Sequence, residues 1–205
     1  MKKGFLTLSL VLLIGGCAEV VKMAPAFVGK FLTVSLDPGV AFPPELTLEG
    51  FDNTDAGKLG GVLGTVFQQA TGEGLKKKAS ALIAANTAPY GAALTNAMRD
   101  EIKRRDLYAG VVDKGGNVSM RVAVARYGLK AVNGLKDLKP LLDVKGEIVL
   151  PGFGVVWSKT YAVDEKTAQT LGLSAVQLLG GTASFQKAFE SASQAAAQGL
   201  LAELK

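Results

Sequence analysis

The sequence has no histidine and a single cysteine, Cys17, and these two scarcities exclude several kinds of site. Such a chain cannot build a Cys/His zinc site, an internal disulfide, a Cys-His nucleophile pair or a Ser-His-Asp triad. The N-terminal apolar run is only about ten residues long, whereas a membrane-spanning helix needs about twenty. Because the side chains of these common catalytic and metal sites are missing, we expect a protein that is not an enzyme, with no metal and no dissociable cofactor.

Charge and composition favour one globular domain without affinity for nucleic acid. The 205 residues are 48% hydrophobic and 20% charged, which is typical of folded chains of this length. The formal charge of +5 falls to +3 if residues 1–16 are removed, because Lys2 and Lys3 leave with them. A nucleic-acid-binding protein needs a more concentrated basic face, so we exclude that class of partner.

The first 16 residues have the pattern of an export signal. A basic start at Lys2 and Lys3 is followed by the apolar run 5–14 and by the small residues Gly15 and Gly16. We predict a signal peptide over 1–16, because the run is too short to span a bilayer as a helix. Residues 17–30 are then a tether, and residues 31–205 form a single periplasmic α+β domain.

The segment Ile14-Gly15-Gly16-Cys17 resembles the lipobox of bacterial lipoproteins. The resemblance implies cleavage before Cys17, a covalent diacylglycerol on its sulfur and an acyl chain on the new amine. Ala18 follows instead of the Asp that marks inner-membrane retention in many lipoproteins, which implies the periplasmic face of the outer membrane. Several acyl chains make such attachment effectively permanent. The alternative is that Cys17 is a small apolar residue of an ordinary signal peptide or anchor helix.

Residues 40–85 form a segment rich in glycine and proline, which we predict to be an insertion in the domain. Its glycines concentrate between Gly57 and Gly74, and Lys76, Lys77 and Lys78 follow. One interpretation is a flexible or weakly helical insertion with solvated lysines, since each glycine inside a helix costs ~1 kcal/mol. The other is a glycine-rich hairpin that enters the lipid surface, with the three lysines paired to anionic headgroups.

Hydrophobic periodicity predicts strands and helices in the remainder of the chain. Two amphipathic helices are expected, one with Thr87 as its N-cap and Pro89 in its first turn, the other capped by Thr182 or Ser184. Alternation predicts four strands, at 31–36, 118–129, 141–150 and 154–163. Burial of one apolar face per element then predicts a two-layer α+β sandwich: a mainly antiparallel four-stranded sheet with two long helices packed on one face, plus the Gly-rich insertion.

This order of elements resembles a family of envelope proteins. The helix Leu94-x-x-x-Met98-x-x-x-Ile102, the alternating strand 118–129, the strand Gly154-Val155-Val156-Trp157-Ser158 and a C-terminal helix carry the resemblance. They look like the ABC-type transport auxiliary lipoproteins and the lipopolysaccharide-assembly and curli-secretion-type periplasmic domains. The resemblance covers 31–38 and 86–204. It implies a non-catalytic accessory or assembly component of an envelope transport or biogenesis complex, with an envelope protein partner or self-association.

Three aromatic residues are candidates for a binding surface. Trp157 and Tyr161 share a face of one strand, and Tyr127 is able to join them. They are either sheet-core aromatics or an apolar patch that contacts a partner. An alternative function also stays open, in which an apolar cleft between sheet and helices holds an acyl chain or another small apolar ligand.

Overall fold

The computed structural model describes residues 32–37, 39–50, 72–132, 137–163, 173–174 and 182–204. These residues form an α+β fold with two helices and one seven-stranded sheet. In chain order the elements are β1 Thr33–Leu36, β2 Thr47–Glu49, α1 Gly72–Arg104, β3 Gly110–Val112, β4 Val118–Val132, β5 Asp137–Leu150, β6 Gly154–Ala162, β7 Leu173–Ser174 and α2 Thr182–Leu201.

The sheet is mixed, so the predicted mainly antiparallel four-stranded sheet is wrong. Its order is β3-β1-β4-β5-β6, with β2 beside β4 and β7 beside β5. β4, β5 and β6 form the predicted antiparallel meander, whereas β1 and β2 run parallel to β4, and β3 runs parallel to β1. The parallel pairs arise because the chain leaves β1 and returns to it through α1, and parallel neighbours need such a long crossover.

The C-terminal helix packs as its sequence predicts. α2 begins at Thr182 and lies against β5 and β6, and α1 packs along α2. The two helices are parallel, because the Gln186 amide donates to the Asn86 Oδ1 at one end (3.3 Å) and Arg105 bonds Leu201 at the other. The predicted apolar stripe of α2 is buried along its length: Phe185, Ala188, Phe189, Ala192, Ala196 and Leu200.

The start of α1 differs from the prediction. Thr87 does not cap the helix, since α1 begins at Gly72 and the Thr87 hydroxyl donates to the Ile83 carbonyl inside it (3.2 Å). Pro89 interrupts the hydrogen-bond ladder without ending the helix, because the apolar stripe continues on its N-terminal side through Ala79 and Ile83, both fully buried. Residues 72–85 of the predicted insertion are thus helical, and residues 51–71 lie outside the described part of the chain.

Two glycines let α2 approach the sheet closely. A Cβ atom on Gly199 of α2 would lie 2.1 Å from the Tyr161 ring atom Cζ. A Cβ atom on Gly146 of β5 would lie 2.6 Å from Leu200 Cδ2 and 3.1 Å from Trp157 Cζ3. The helix–sheet layer is therefore packed to contact distance at these positions, as expected of a helix face made mostly of alanine and glycine.

Candidate functional site

The three predicted aromatic residues are largely inside the protein. Trp157 is 2% exposed and lies opposite Ile148, and Tyr127 is 8% exposed and lies opposite Leu142 on the other side of β5. Six residues of β5 separate these positions, about 20 Å along the strand, so Tyr127 and Trp157 do not form one surface. Tyr161 is half-buried under Gly199. Trp157 and Tyr127 are core residues in this fold.

The other predicted contact residues are placed only in part. Cys17 and most of the stretch between Gly57 and Gly74 lie outside the described residues. Lys76, Lys77 and Lys78 belong to the first turns of α1, and Lys77 is exposed. Their proposed pairing with lipid headgroups stays a prediction.

The described fold begins at one end of the sheet, which we call the tether end. The Ala109 amide donates to the Leu32 carbonyl (2.9 Å), and this bond joins the connection after α1 to the start of β1. The Thr33 amide donates to the Asn117 side chain (2.8 Å), just before β4 begins. The chain from residues 17–31 therefore joins the sheet where α1 ends and β4 starts.

The β5–β6 turn projects at the same tether end. Ser35 of β1 pairs with Ser119 of β4, and Ser119 pairs with Val149 of β5, so the three lie in one row across the sheet. Leu32 precedes this row by three residues and Phe153 follows it by four on the oppositely directed strand. The chain reverses at Pro151 and Gly152, and Gly154 pairs with Leu150, so Phe153 lies about two residues past the row. Leu32 therefore extends about 10 Å and Phe153 about 7 Å past the row in the same direction, since a strand rises ~3.3 Å per residue.

The turn itself has a defined conformation. Phe153 donates its amide to the Leu150 carbonyl (3.0 Å), with Pro151 and Gly152 at the two central positions. Gly152 has φ 81°, which makes this a type II turn, and Gly154 follows with φ 79°. The sequence predicted the hairpin but not the exposure of its apex: Phe153 is 78% exposed, an outcome that the Pro-Gly signal alone does not reveal.

A groove of about 500 Å³ lies where the two helices end, and we call it the helix-end groove. Its lining is mostly polar and charged, with Glu101, Arg104, Arg105, Gln198 and Ala202. Arg104 donates two hydrogen bonds to the buried Glu101 carboxylate, at 2.7 and 2.6 Å. These hydrogen bonds and the charge of Glu101 raise the pKa of Arg104 above its ordinary value, so the guanidinium stays protonated.

Cationic side chains satisfy the C-terminal carbonyls of α2, which have no partner within the helix. Arg105 donates to the carbonyls of Leu201 and Ala202, and the Lys159 amine donates to the Gly199 carbonyl (3.1 Å). Positive charge at a helix C-terminus is favourable because the dipole is negative there. The groove's Arg105 is thus engaged in joining α1 to α2, a role that the sequence did not reveal because it depends on the parallel packing.

The sheet face away from α2 carries ion pairs between strands. The Arg126 guanidinium contacts Asp143 of β5 (2.8 Å) and Glu49 of β2 (2.7 Å). Its hydrogen bond to Asp143 raises the pKa of Arg126 despite opposing desolvation. Glu147 pairs instead with Lys145 (2.7 Å). Asp143 and Glu147 therefore have separate cationic partners, and the geometry does not make them a joint acid/base pair.

Two buried tyrosines have hydroxyl groups without a hydrogen-bond partner in the described part of the protein: Tyr90 and Tyr108. The Tyr90 ring stacks on Phe189 at 4.3 Å between α1 and α2. Desolvation raises the pKa of both phenols, to about 12 for Tyr108. A buried phenol without a partner costs free energy, but these two residues face the packed core.

Within the described ranges there is no group of three or more Asp, Glu or Cys residues placed to hold a metal ion. No helix among those ranges is both long and apolar enough to cross a bilayer.

Comparisons with known proteins show a distant structural similarity. No family model matches the sequence, and no curated protein matches it. The fold is similar to that of a Xanthomonas campestris protein of the family DUF330, with a TM-score of 0.40 and 16% sequence identity. The similarity covers 54% of this chain and 58% of that protein, so it spans less than two thirds of the relative. The lipoprotein and transport-auxiliary resemblance therefore stays a prediction.

Proposed function

We propose that the chain is a lipoprotein anchored through Cys17 to the periplasmic face of the outer membrane. In this proposal it acts as a non-catalytic accessory or assembly component of an envelope transport or biogenesis complex. Its partners are the bilayer and an envelope protein or a second copy of the chain. The anchor rests on the sequence, because the single cysteine follows a short apolar run and two small residues, as lipidation chemistry requires.

The tight packing between α2 and the sheet favours a partner protein over a bound apolar ligand. An acyl chain would need an apolar-lined cavity between these two layers. Trp157 lies in this space at 2% exposure, and Gly146 and Gly199 bring the backbones together. Phe185 and Phe189 are also fully buried and pack on Tyr90 between the two helices. A ligand between the two layers would have to separate α2 from β5 and β6.

The helix-end groove also suits a protein better than a lipid. Four of its five lining residues are polar or charged, and Arg104 is 65% exposed while it holds the Glu101 carboxylate. Arginine is enriched at the centres of protein interfaces, where its remaining donors bond a partner. A hydrocarbon chain would leave these donors desolvated without hydrogen bonds.

Cross-linking in intact envelopes tests this function. The full chain is cross-linked with a cleavable reagent and purified through a C-terminal tag, and co-purified proteins and lipids are identified by mass spectrometry. The matched control is Cys17→Ser, which alters the anchor without touching any described residue. We expect a stoichiometric envelope protein, or a defined oligomer, with the acylated chain and less of it with Cys17→Ser, because anchoring raises the local concentration.

Two results would contradict the proposal. A stoichiometric lipid, retained without any protein partner and displaced by fatty acid, would instead support the ligand-binding alternative. Turnover of ester or glycan substrates by the purified chain would contradict the non-catalytic assignment.

A further inference from the structure

We propose that the β5–β6 turn, residues 150–155 with the exposed Phe153 directly after its two central residues, is a second membrane contact that seats the tether end of the domain on the bilayer. The lipid surface is the one to which Cys17 is attached, so this inference rests on the anchor of the proposed function. It adds an orientation, in which the domain lies with its tether end on the lipid.

The turn is the place where the described protein exposes large apolar side chains. Phe153 is 78% exposed and Val155 is 46% exposed, and the other large hydrophobic residues of the described ranges are buried or half-buried. The stretch 149–157 contains no charged residue. A charge-free apex with an aromatic side chain suits the interface of a bilayer, where aromatic rings are favourable.

The turn holds Phe153 outward without needing a partner to order it. The Phe153–Leu150 hydrogen bond closes the turn, and Pro151 fixes the backbone before Gly152. Gly152 and Gly154 both have positive φ, with nothing within 4 Å of the Cβ position of either. No described residue therefore packs against the turn at these two positions, and its conformation is already set before contact.

The position of the turn identifies the lipid as its occupant. Leu32 and Phe153 extend past the same row of the sheet on strands β1 and β5–β6, and β1 and β5 lie about 10 Å apart on either side of β4. The anchor at Cys17 keeps the lipid surface within the length of residues 17–31 from Leu32, and Phe153 lies at the same end of the sheet.

The length of the tether makes a weak contact sufficient. Leu32 lies fifteen residues after Cys17, and a flexible chain of that length has a root-mean-square span of ~20 Å. At such distances the effective concentration of lipid at the turn is high, so one aromatic residue does not need to bind the membrane alone. A short apolar apex is thus adequate for docking a chain that is already anchored.

Environment-sensitive labelling tests the contact in the full chain. Phe153→Cys and the control Thr160→Cys are each labelled with a nitrobenzoxadiazole dye, after acylation has blocked Cys17, and reconstituted in vesicles of phosphatidylethanolamine and phosphatidylglycerol. Thr160 is exposed on the same strand β6, about 20 Å from the apex. We expect a blue-shifted emission at position 153 and several-fold stronger quenching by headgroup-proximal spin-labelled lipid than at position 160.

The outcomes separate this inference from the anchor. If palmitate labelling shows an acylated Cys17 but the dye at 153 is as solvent-exposed and unquenched as at 160, the membrane contact is overturned. A blue shift at 153 that appears only with added envelope protein overturns it as well, in favour of a protein contact. If palmitate labelling fails, the anchor of the proposed function fails. The turn is then tested separately with the double variant Cys17→Ser/Phe153→Cys, which the uncleaved apolar run 5–14 holds on the vesicle.

Discussion

Phe153 and Trp157 lie four residues apart at one end of β6, yet their environments are opposite. Trp157 is 2% exposed beneath α2, whereas Phe153 is 78% exposed at the β5–β6 turn. Hydropathy does not explain the difference, because both residues are large and aromatic. The two residues differ in what covers them. The last turn of α2 contacts the sheet at Tyr161 and Gly146, whereas no described residue lies within 4 Å of the Cβ position of Gly152 in the turn.

The glycines around these two residues show the same contrast. Gly146 and Gly199 are needed because α2 and the sheet approach too closely for a Cβ atom. Gly152 and Gly154 have no described residue near their Cβ positions and are needed because their φ angles are positive. Glycine thus closes the helix–sheet layer in one region and shapes an exposed turn in the other.

The largest expected difference is between the stabilities of the alanine variants of Trp157 and Phe153. We expect Trp157→Ala to lower the free energy of unfolding by about 3–5 kcal/mol, because it empties a buried site. Phe153→Ala should change it by less than about 0.5 kcal/mol, since the side chain is mostly exposed. Urea unfolding of both variants measures this, and equal losses would mean that Phe153 is also covered in the folded protein.

Gly199→Ala should reverse the usual effect of alanine in a helix. Elsewhere in a helix this change stabilises by about 1 kcal/mol, but here the new methyl group would collide with the Tyr161 ring. We expect a net loss of about 1–3 kcal/mol, as for other overpacked cores. Thermal unfolding of Gly199→Ala, with Gly199→Ala/Tyr161→Ala as the relieving variant, measures it. A stabilised single variant would show that α2 lies further from the sheet.

High pH should destabilise the protein through the buried phenol of Tyr108. Burial raises the pKa of the Tyr108 phenol to about 12, against about 10 in an unfolded chain. The folded state therefore keeps a proton that the unfolded state loses, and stability should fall between pH ~10 and ~12, by at most ~1.4 kcal/mol per pH unit from this residue.

The control for that prediction is Tyr108→Phe, which removes the titrating group and a hydroxyl without a described partner. The difference in unfolding free energy between this variant and the native chain should be constant below pH ~10 and should shift above it in favour of the variant. Parallel curves up to pH 12 would contradict the burial of a neutral phenol.

The sequence predicted the parts of the fold whose pattern is local. The antiparallel meander β4–β5–β6 and the stripe of α2 follow from periodicity over nine or more residues each. β1 lies within the strand predicted at 31–36, but its parallel pairing was not predicted. β2 and β3 are only three residues long, too short for a periodic signal, and the partners of all three parallel strands depend on the crossover through α1. Pro89 was misleading because proline is typical of a first turn but is also tolerated inside a long packed helix.

The candidate site was predictable to a smaller degree, because exposure depends on tertiary cover. Sequence spacing correctly placed Trp157 and Tyr161 on one face of β6, but α2 covers that face. The exposed Phe153 and the carbonyl-capping Arg105 became visible only when the strands and helices were assembled. Cys17 is the reverse case, in which the motif gives the prediction and the described residues do not include it.

The N-terminus of the protein recovered from membranes tests the central claim most directly. The account predicts a chain that begins at Cys17, with a mass increased by diacylglycerol and one further acyl group, and loss of both processing and palmitate label in Cys17→Ser. A chain that begins elsewhere, or one that carries no lipid on Cys17, would contradict the anchor on which the proposed function is built.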